Sequence, residues 1–324
     1  MLIFMLRRLF FFLVTLVFTS ILIFLLTRVL PGDVARIKAG RDAPEEAVEQ
    51  VRHDLGLDKP LPVQYFNWIT HLVQGDWGDS FTTNAPIYPD VRQRLENSGR
   101  LALLTLLIAI PISIVMGIIA ALNENNLIDG LISIFTLGVV SLPEFVTGIF
   151  LINTVAFKWA KKWDWLPFEL RGSASGFKPE MSFTESLPYL TLPAIAATFV
   201  LLAYVTRLTR AGVIEELKRD YVRTAELKGL PYPIVIVRHV LRNALSPTVT
   251  VIAISLGWLI SGLVVVEAVF NYKGLGSLLI FAVANRDLPI IQAIVMITVA
   301  VILLANFLAD LMYAFLNPRI RLGE

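Results

Sequence analysis

The acid lying deepest in apolar sequence is Glu144, set directly behind Pro143 within the stretch from Leu127 to Phe157. A charge held at membrane depth costs at least about 2.5 kcal/mol unless it faces protein or water. Two placements meet that requirement. Glu144 lines a polar path through the membrane, or it has a structural role, bonded to a neighbouring helix or brought nearer the surface by a bend at Pro143. Glu267 and Asp310 fall near the ends of apolar runs, where structural pairing is expected. The second concentration of charge runs from Arg207 to Arg242, with eight Lys or Arg against the four acids Glu215, Glu216, Asp220 and Glu226. A basic segment between two apolar runs belongs on the cytoplasmic side of a membrane.

Other chemistries lack their residues. No G-x-x-x-x-G-K-[ST] occurs, so the chain does not bind ATP through a P-loop. No H-E-x-x-H occurs, and Gly172–Gly176 reads GSASG, with Ala174 where a nucleophile elbow needs serine. His53, His71 and His239 are scattered without ligand-like spacing to a carboxylate or a second histidine. The absence of cysteine removes disulfides, thiolate zinc sites, iron–sulfur clusters and a thiol nucleophile. The residues therefore predict no catalytic, cofactor-binding or metal site.

Of the 324 residues, 56% are hydrophobic and 17% charged, and mean hydropathy is +0.70. Soluble domains carry about 25% charged residues, so the composition is that of an integral membrane protein. A net charge of +2 gives no reason to expect nucleic acid as a partner. The run from Leu9 to Thr27 follows Arg7 and Arg8 and is long enough to span; it exceeds a signal-peptide core and no cleavage site follows, which predicts an uncleaved first helix over 1–30. Residues 31–100 are polar and form an outer insertion. Within it, Asp42 can cap a helix beginning near Pro44, with Val48, Val51 and Leu55 on one face and Gly56 as its stop. A second helix from Leu61 to Gln74 would place Phe66, Ile69 and Val73 on one face.

Further spans are predicted over Leu101–Leu122, Leu127–Phe157, Pro188–Thr206, Thr248–Val266 and Leu288–Leu308. Residues 101–324 would form a five-helix core, with a cytoplasmic loop at 207–247. Trp159, Trp163 and Trp165 among lysines mark an outer interface. Leaving out the long insertion, the inside segments carry twelve Lys or Arg, including Arg319 and Arg321, against seven in the outer loops. The fold class is thus an all-α membrane protein of six spans with both termini cytoplasmic.

Within the basic loop, Asp220 to Leu227 reads as a short helix. Asp220 can cap it, Gly229 can supply a left-handed stop, and Pro231 and Pro233 prevent continuation. A second amphipathic piece follows, with Ile234, Val237, Val240 and Leu241 on one side. Such a knob suits a partner surface; spacing alone equally fits a solvated basic loop.

DYVRTAELKGL followed by RHVLRNALSP resembles the cytoplasmic coupling signature of binding-protein-dependent ABC transporter permeases. The similarity is to the branch that imports oligopeptides, dipeptides, nickel and glutathione. Thr224, Ala225 and Gly229 fit that signature, whereas Glu226 stands where the branch usually has a base. LPGD, LGLDKPLPVQY and GDWGDS in the insertion resemble the same branch. So does the piece with Glu267, Gly274, Gly276, Arg286, Asp287 and Pro289, with Lys273 where proline is usual. The resemblance implies a transporter subunit of the bacterial inner membrane, non-catalytic itself and most simply a carrier of di- or oligopeptides. Nickel, glutathione, opines or oligosaccharides are other cargoes of similar permeases. Implied partners are a second permease, two cytoplasmic ATPases that bind ATP and magnesium, an extracytoplasmic binding protein and membrane lipid. The ATPase-docking residues would be Asp220, Tyr221, Arg223, Thr224, Ala225, Glu226 and Gly229, with Ala225 packing on the ATPase, and Glu144 would line the translocation path. A membrane enzyme would need convergent catalytic side chains in the spans, and a channel or receptor gives no reason for a docking loop.

Overall fold

The computed structural model describes residues 2–29, 33–40, 42–159 and 169–316, and among these it is built of helices with a single isolated β-bridge, Asp79 to Pro86. Trp163, Trp165, Arg319 and Arg321 lie outside the described residues. In chain order the helices are α1 (Leu2–Val29), α2 (Val34–Ala39), α3 (Glu45–Asp54), α4 (Leu61–Gln74), α5 (Ile87–Leu122), α6 (Leu127–Ser141) and α7 (Glu144–Leu151). A π-helical continuation of α7 covers Ile152–Trp159. Then come α8 (Phe183–Leu217), α9 (Asp220–Leu227), the single turn α10 (Tyr232–Ile234), a π-helical stretch Val235–Val240, α11 (Leu241–Val269), α12 (Leu275–Ala284) and α13 (Leu288–Leu316).

Helices α1, α5, α8 and α13 are each long and apolar enough to cross a membrane, and α6 with α7 make a fifth crossing if the pair, bent by 102°, is one span. Their registers fix direction. The Thr198 hydroxyl donates to the Thr105 carbonyl and the Thr206 hydroxyl to the Ser113 carbonyl, at 3.4 and 3.2 Å, both across 93 residues, so α5 and α8 run parallel. Gly117 allows their approach, because a Cβ there would lie 2.6 Å from that of Thr209. α11 runs against α8, with Thr209 and Thr248 hydroxyls 3.3 Å apart. α1 runs against α13: Arg8 pairs with Asp310 at 2.9 Å, Phe12 meets Phe307, and Gln292 donates to the Thr27 hydroxyl at 2.6 Å. In a medium without water such side-chain bonds and small-residue contacts hold the helices together.

Several element bounds differ from expectation. α5 begins at Ile87 rather than 101, because its first turns are not solvated linker: Ile87 and Val91 are buried against Leu275, Leu278 and Ile294. α8 likewise extends beyond the apolar run at both ends, from Phe183 to Leu217, opened by a capping box in which the Ser182 hydroxyl accepts from the Glu185 amide. The connection between α11 and α13 contains the unforeseen helix α12. Asp42 does not cap α3; Pro44 precedes its first turn with no side-chain cap, while Glu45 and Glu46 place negative charge in the first turn, beside the positive helix end. α4 has the expected bounds, yet Phe66 and Val73 are exposed, and Tyr65 and Trp68 turn instead to the Phe24 ring of α1. Three-to-four spacing is met by more than one stripe on a helix so rich in apolar residues, and the aromatic contact selects between them.

Candidate functional site

At the end of the bundle where α5 and α8 finish, the chain folds into a compact polar knob. Helix α9 has the predicted bounds, Asp220–Leu227, and Asp220 sits in its first turn rather than at the cap; the capping position is Arg219, with no side-chain bond to the helix. Asp220 then acts through its charge beside the positive helix end. The other end is closed by backbone geometry. Gly229 adopts φ +75°, its amide donates to the Glu226 carbonyl at 2.9 Å, and the Leu230 amide returns to the Ala225 carbonyl at 3.3 Å. That pair of bonds is a Schellman closure, and its left-handed residue is strained for any L side chain.

The knob is seated on the spans by apolar and ionic contacts. Val222 and Ala225 of α9 are buried with Ala121 of α5, Val213 of α8, and Val235, Ile236, Val240 and Ala244. In the segment after Pro233, Val235 and Ile236 point inward while Ile234 and Val237 are exposed, which departs from the predicted stripe. The cause is the π-helical winding of Val235–Val240, whose wider turn shifts which side chains share a face. Arg210 of α8 clamps Asp129 of α6 with two bonds of 2.6 Å, and the Asn125 amide donates to the same carboxylate at 3.1 Å. A bidentate guanidinium fixes angle as well as distance. Four long helices, α5, α6, α8 and α11, therefore meet at the knob's base.

Its predicted docking residues divide into two groups. Asp220, Tyr221, Arg223, Thr224, Glu226 and Gly229 are exposed. The Tyr221 hydroxyl binds the Glu216 carboxylate and accepts from Asn243 at 3.1 Å; burial, with the Glu216 bond behind it, raises this phenol above its ordinary value, so it remains a donor. The Thr224 hydroxyl folds back to the Asp220 carbonyl. Ala225 corrects the expectation that it faces a partner: only 6% exposed, it packs into the chain's own core. The outward apolar anchor is Leu227, 81% exposed, with Leu230, Tyr232 and Val237 also uncovered nearby in sequence. Among the described residues Arg223, Lys228, Arg238 and Arg242 form no ion pair, whereas Lys218 and Arg219 pair with Glu124, Glu215 and Glu216. Sequence reasoning missed Leu227 because an apolar residue in a helix is ordinarily assigned inward.

Glu144 is not brought to the knob. It is half-buried and begins α7 immediately after the break at Leu142–Pro143, so it does not occupy the middle of a straight span. Proline at the capping position leaves no amide to satisfy there, and the acid lies at the positive end of the new helix. One turn later Gly148 passes so close to α11 that a Cβ would lie 2.8 Å from Val269.

The opposite end of α5 holds two buried acids, both fully engaged. Glu267, 1% exposed, accepts from the Ser98 hydroxyl at 2.5 Å and the Ser277 amide at 3.0 Å, tying α11, α5 and the start of α12 together. Gly274 makes room for it, since a Cβ there would lie 2.1 Å from Glu267 Oε1. Asp287, 0% exposed, accepts from the Ser80 hydroxyl at 2.5 Å and from the Phe81 and Thr82 amides at 3.2 and 3.1 Å. The segment GDWGDS is thus latched to the start of α13. Among the described residues no group of three or more His, Asp or Glu is placed to hold a metal ion.

Residues 113–322 match the family model described as binding-protein-dependent transport system inner membrane component, and residues 1–101 match its N-terminal counterpart. A probable peptide ABC transporter permease of Sinorhizobium fredii is 36% identical over 320 residues, covering 98% of this chain and 99% of that protein. A glutathione transport system permease of Pectobacterium atrosepticum is 37% identical over 321 residues, covering 99% of both chains. Among solved structures, an amino acid ABC transporter crystallised with histidines shares the fold at TM-score 0.50 and 15% identity, over 69% of this chain and 92% of that one.

Proposed function

Because this chain belongs to the binding-protein-dependent transport system inner membrane components, as an ABC transporter permease of the peptide and glutathione branch, we propose that it forms half of the translocation path of an importer of di- or oligopeptides. In this reading it crosses the membrane six times: α1, α5, the bent α6–α7 pair, α8, α11 and α13. Both termini and the knob lie in the cytoplasm, and the insertion lies outside. A second permease completes the path, two cytoplasmic ATPases bind ATP and magnesium, and an extracytoplasmic binding protein delivers cargo. The surface 220–229 is the ATPase dock, and Glu144 faces the path.

The observation that carries the coupling role is the rigidity of α9. It is closed by a Schellman turn at one end and sunk through Val222 and Ala225 into a cluster shared with α5, α8 and the approach to α11. A displacement applied to Leu227 or Arg223 is therefore passed to the spans instead of being lost in a loop. Closure of the ATPases on nucleotide would bias the spans between inward-open and outward-open arrangements through this contact.

Glutathione is the second cargo reading, favoured by relatives of that name whose identity matches that of the peptide permease. The test is uptake by the complete importer, with its own binding protein, of labelled dipeptides, oligopeptides and glutathione in competition. Peptide import displaced by unlabelled peptide and unaffected by glutathione supports the first reading. Uptake of glutathione alone replaces it with the second, and failure to import either removes both.

A further inference from the structure

Where α1 ends and α13 begins, the insertion encloses a cavity of about 520 Å³ whose lining includes Arg28, Lys38 and Lys59 against Asp54 and Asp79. Arg28 is the unusual member. Its Nε is buried and, among the described residues, has no hydrogen-bond partner; the guanidinium rests only over the Phe24 ring, 5.2 Å from its centroid. Gln64, also in the lining, spends its amide on the carbonyls of Leu57 and Lys59 while its buried Oε1 accepts nothing. A buried donor on a cation and a buried acceptor without partners are each costly, and more so for the charged group.

The cavity shares its Trp77 wall with an apolar groove of about 290 Å³ that follows α1 and α13 further into the bundle, from Val17 and Ser20 to Ala293, Met296 and Ala300. Trp77 is held rigidly: its indole donates to the Leu72 carbonyl at 2.9 Å and its ring meets Tyr88 edge-on at 5.0 Å. Tyr65 and Trp68 of α4 contribute to the groove and the cavity respectively. A cationic chamber continuous with an apolar furrow, divided by aromatic rings, follows the profile of a membrane from headgroup to acyl chain.

The geometry points to a phospholipid-binding site, in which the phosphodiester of a glycerophospholipid pairs with Arg28, a donor on its headgroup meets Gln64, and an acyl chain occupies the α1–α13 groove. A small free anion would satisfy Arg28 and leave the furrow empty. A purely apolar guest would fill the furrow and leave the guanidinium unpaired. One amphiphile accounts for both, and the slight excess of positive charge in the chamber suits a single phosphate.

The test is native mass spectrometry of the assembled transporter, depleted of lipid by detergent exchange. It is then titrated separately with phosphatidylethanolamine, phosphatidylglycerol, diacylglycerol and inorganic phosphate. Either phospholipid is expected to bind each copy of this chain at least about tenfold more tightly than diacylglycerol or phosphate, and Arg28→Met or Ala300→Phe should each remove about that factor. The mass of the intact complex reports assembly in the same spectra, so that if Arg28→Met fails to assemble, Ala300→Phe decides. Unchanged lipid titration in the assembled variants overturns the proposal. Phosphate binding as tight as lipid reassigns the chamber to a free anion. A disulfide from Val73→Cys to the second permease would show that protein fills the groove, and would also overturn it.

Discussion

Leu227 and Ala225 lie two residues apart on one short helix, and the structure assigns them opposite consequences. Leu227 is 81% exposed in the isolated chain, so truncating it to alanine removes no internal contact of weight. If an ATPase cleft covers it, the lost burial amounts to about 1.5–3 kcal/mol. That corresponds to roughly tenfold to hundredfold weaker docking at unchanged permease stability. Ala225 is 6% exposed among Ala121, Val213, Val235 and Val240. Ala225→Leu must find room for three additional carbons there, an overpacking that costs about 1–3 kcal/mol within the chain itself. Gly229→Val forms a third case, because a Cβ at Gly229 meets nothing within 4 Å and the penalty comes only from φ +75°, about 1–2 kcal/mol of backbone strain. The assay is a titration of purified ATPase onto the permease pair in nanodiscs, alongside thermal unfolding of the pair. Leu227→Ala should shift the binding curve and leave unfolding alone, and Ala225→Leu should lower the unfolding temperature first. Wild-type ATPase affinity in Leu227→Ala, or unchanged stability in Ala225→Leu, would refute the assignment of faces.

Asp287→Ala strands the Ser80 hydroxyl and the amides of Phe81 and Thr82, at a cost of about 3 kcal/mol or more if they stay buried; in that background Thr83→Cys should be labelled faster by an external thiol reagent, and equal rates would show that the latch is dispensable. Glu144→Gln should change transport while the complex still assembles, and uptake unaltered across cargoes and pH would return Glu144 to a purely structural role. In this cysteine-free chain, Ser175→Cys should react with an impermeant maleimide added outside and Glu215→Cys only after permeabilisation; outside labelling of both would overturn the topology.

What could be read from the sequence follows the range of the interactions concerned. The bounds of α9 and its Gly229 stop were legible because they depend on residues within one turn of each other. Positive φ at Gly229 and the prolines at 231 and 233 leave the local backbone little choice. The all-helical membrane class was legible from apolar runs alone. Which side of α9 or α4 faces inward was not. On α9 that choice is made by Val213 and Ala244, supplied by α8 and α11, and on α4 by the Phe24 ring of α1. No local pattern contains those partners.

The same distinction explains the charged residues. Eight basic side chains between Arg207 and Arg242 look equivalent in sequence, yet Arg210 is consumed by Asp129, 81 residues away, while Arg223 and Lys228 remain at the surface. A bidentate pair partly removed from water loses much if one partner is truncated, because the other charge is left uncompensated. Its location at the joint of α6 and α8 makes it a structural pin of the knob's base. The exposed cations on α9 instead act over a screened distance and would set the rate and orientation of partner approach more than the strength of the final contact. The parallel register of α5 and α8, maintained through Thr198, Thr206 and the close approach at Gly117, then carries any tilt of that base along a helix of 36 residues, about 54 Å at 1.5 Å per residue. Three turns in from its far end, Ser98 grips Glu267. The knob and the opposite end of the bundle are therefore joined by one continuous element rather than by a chain of loops.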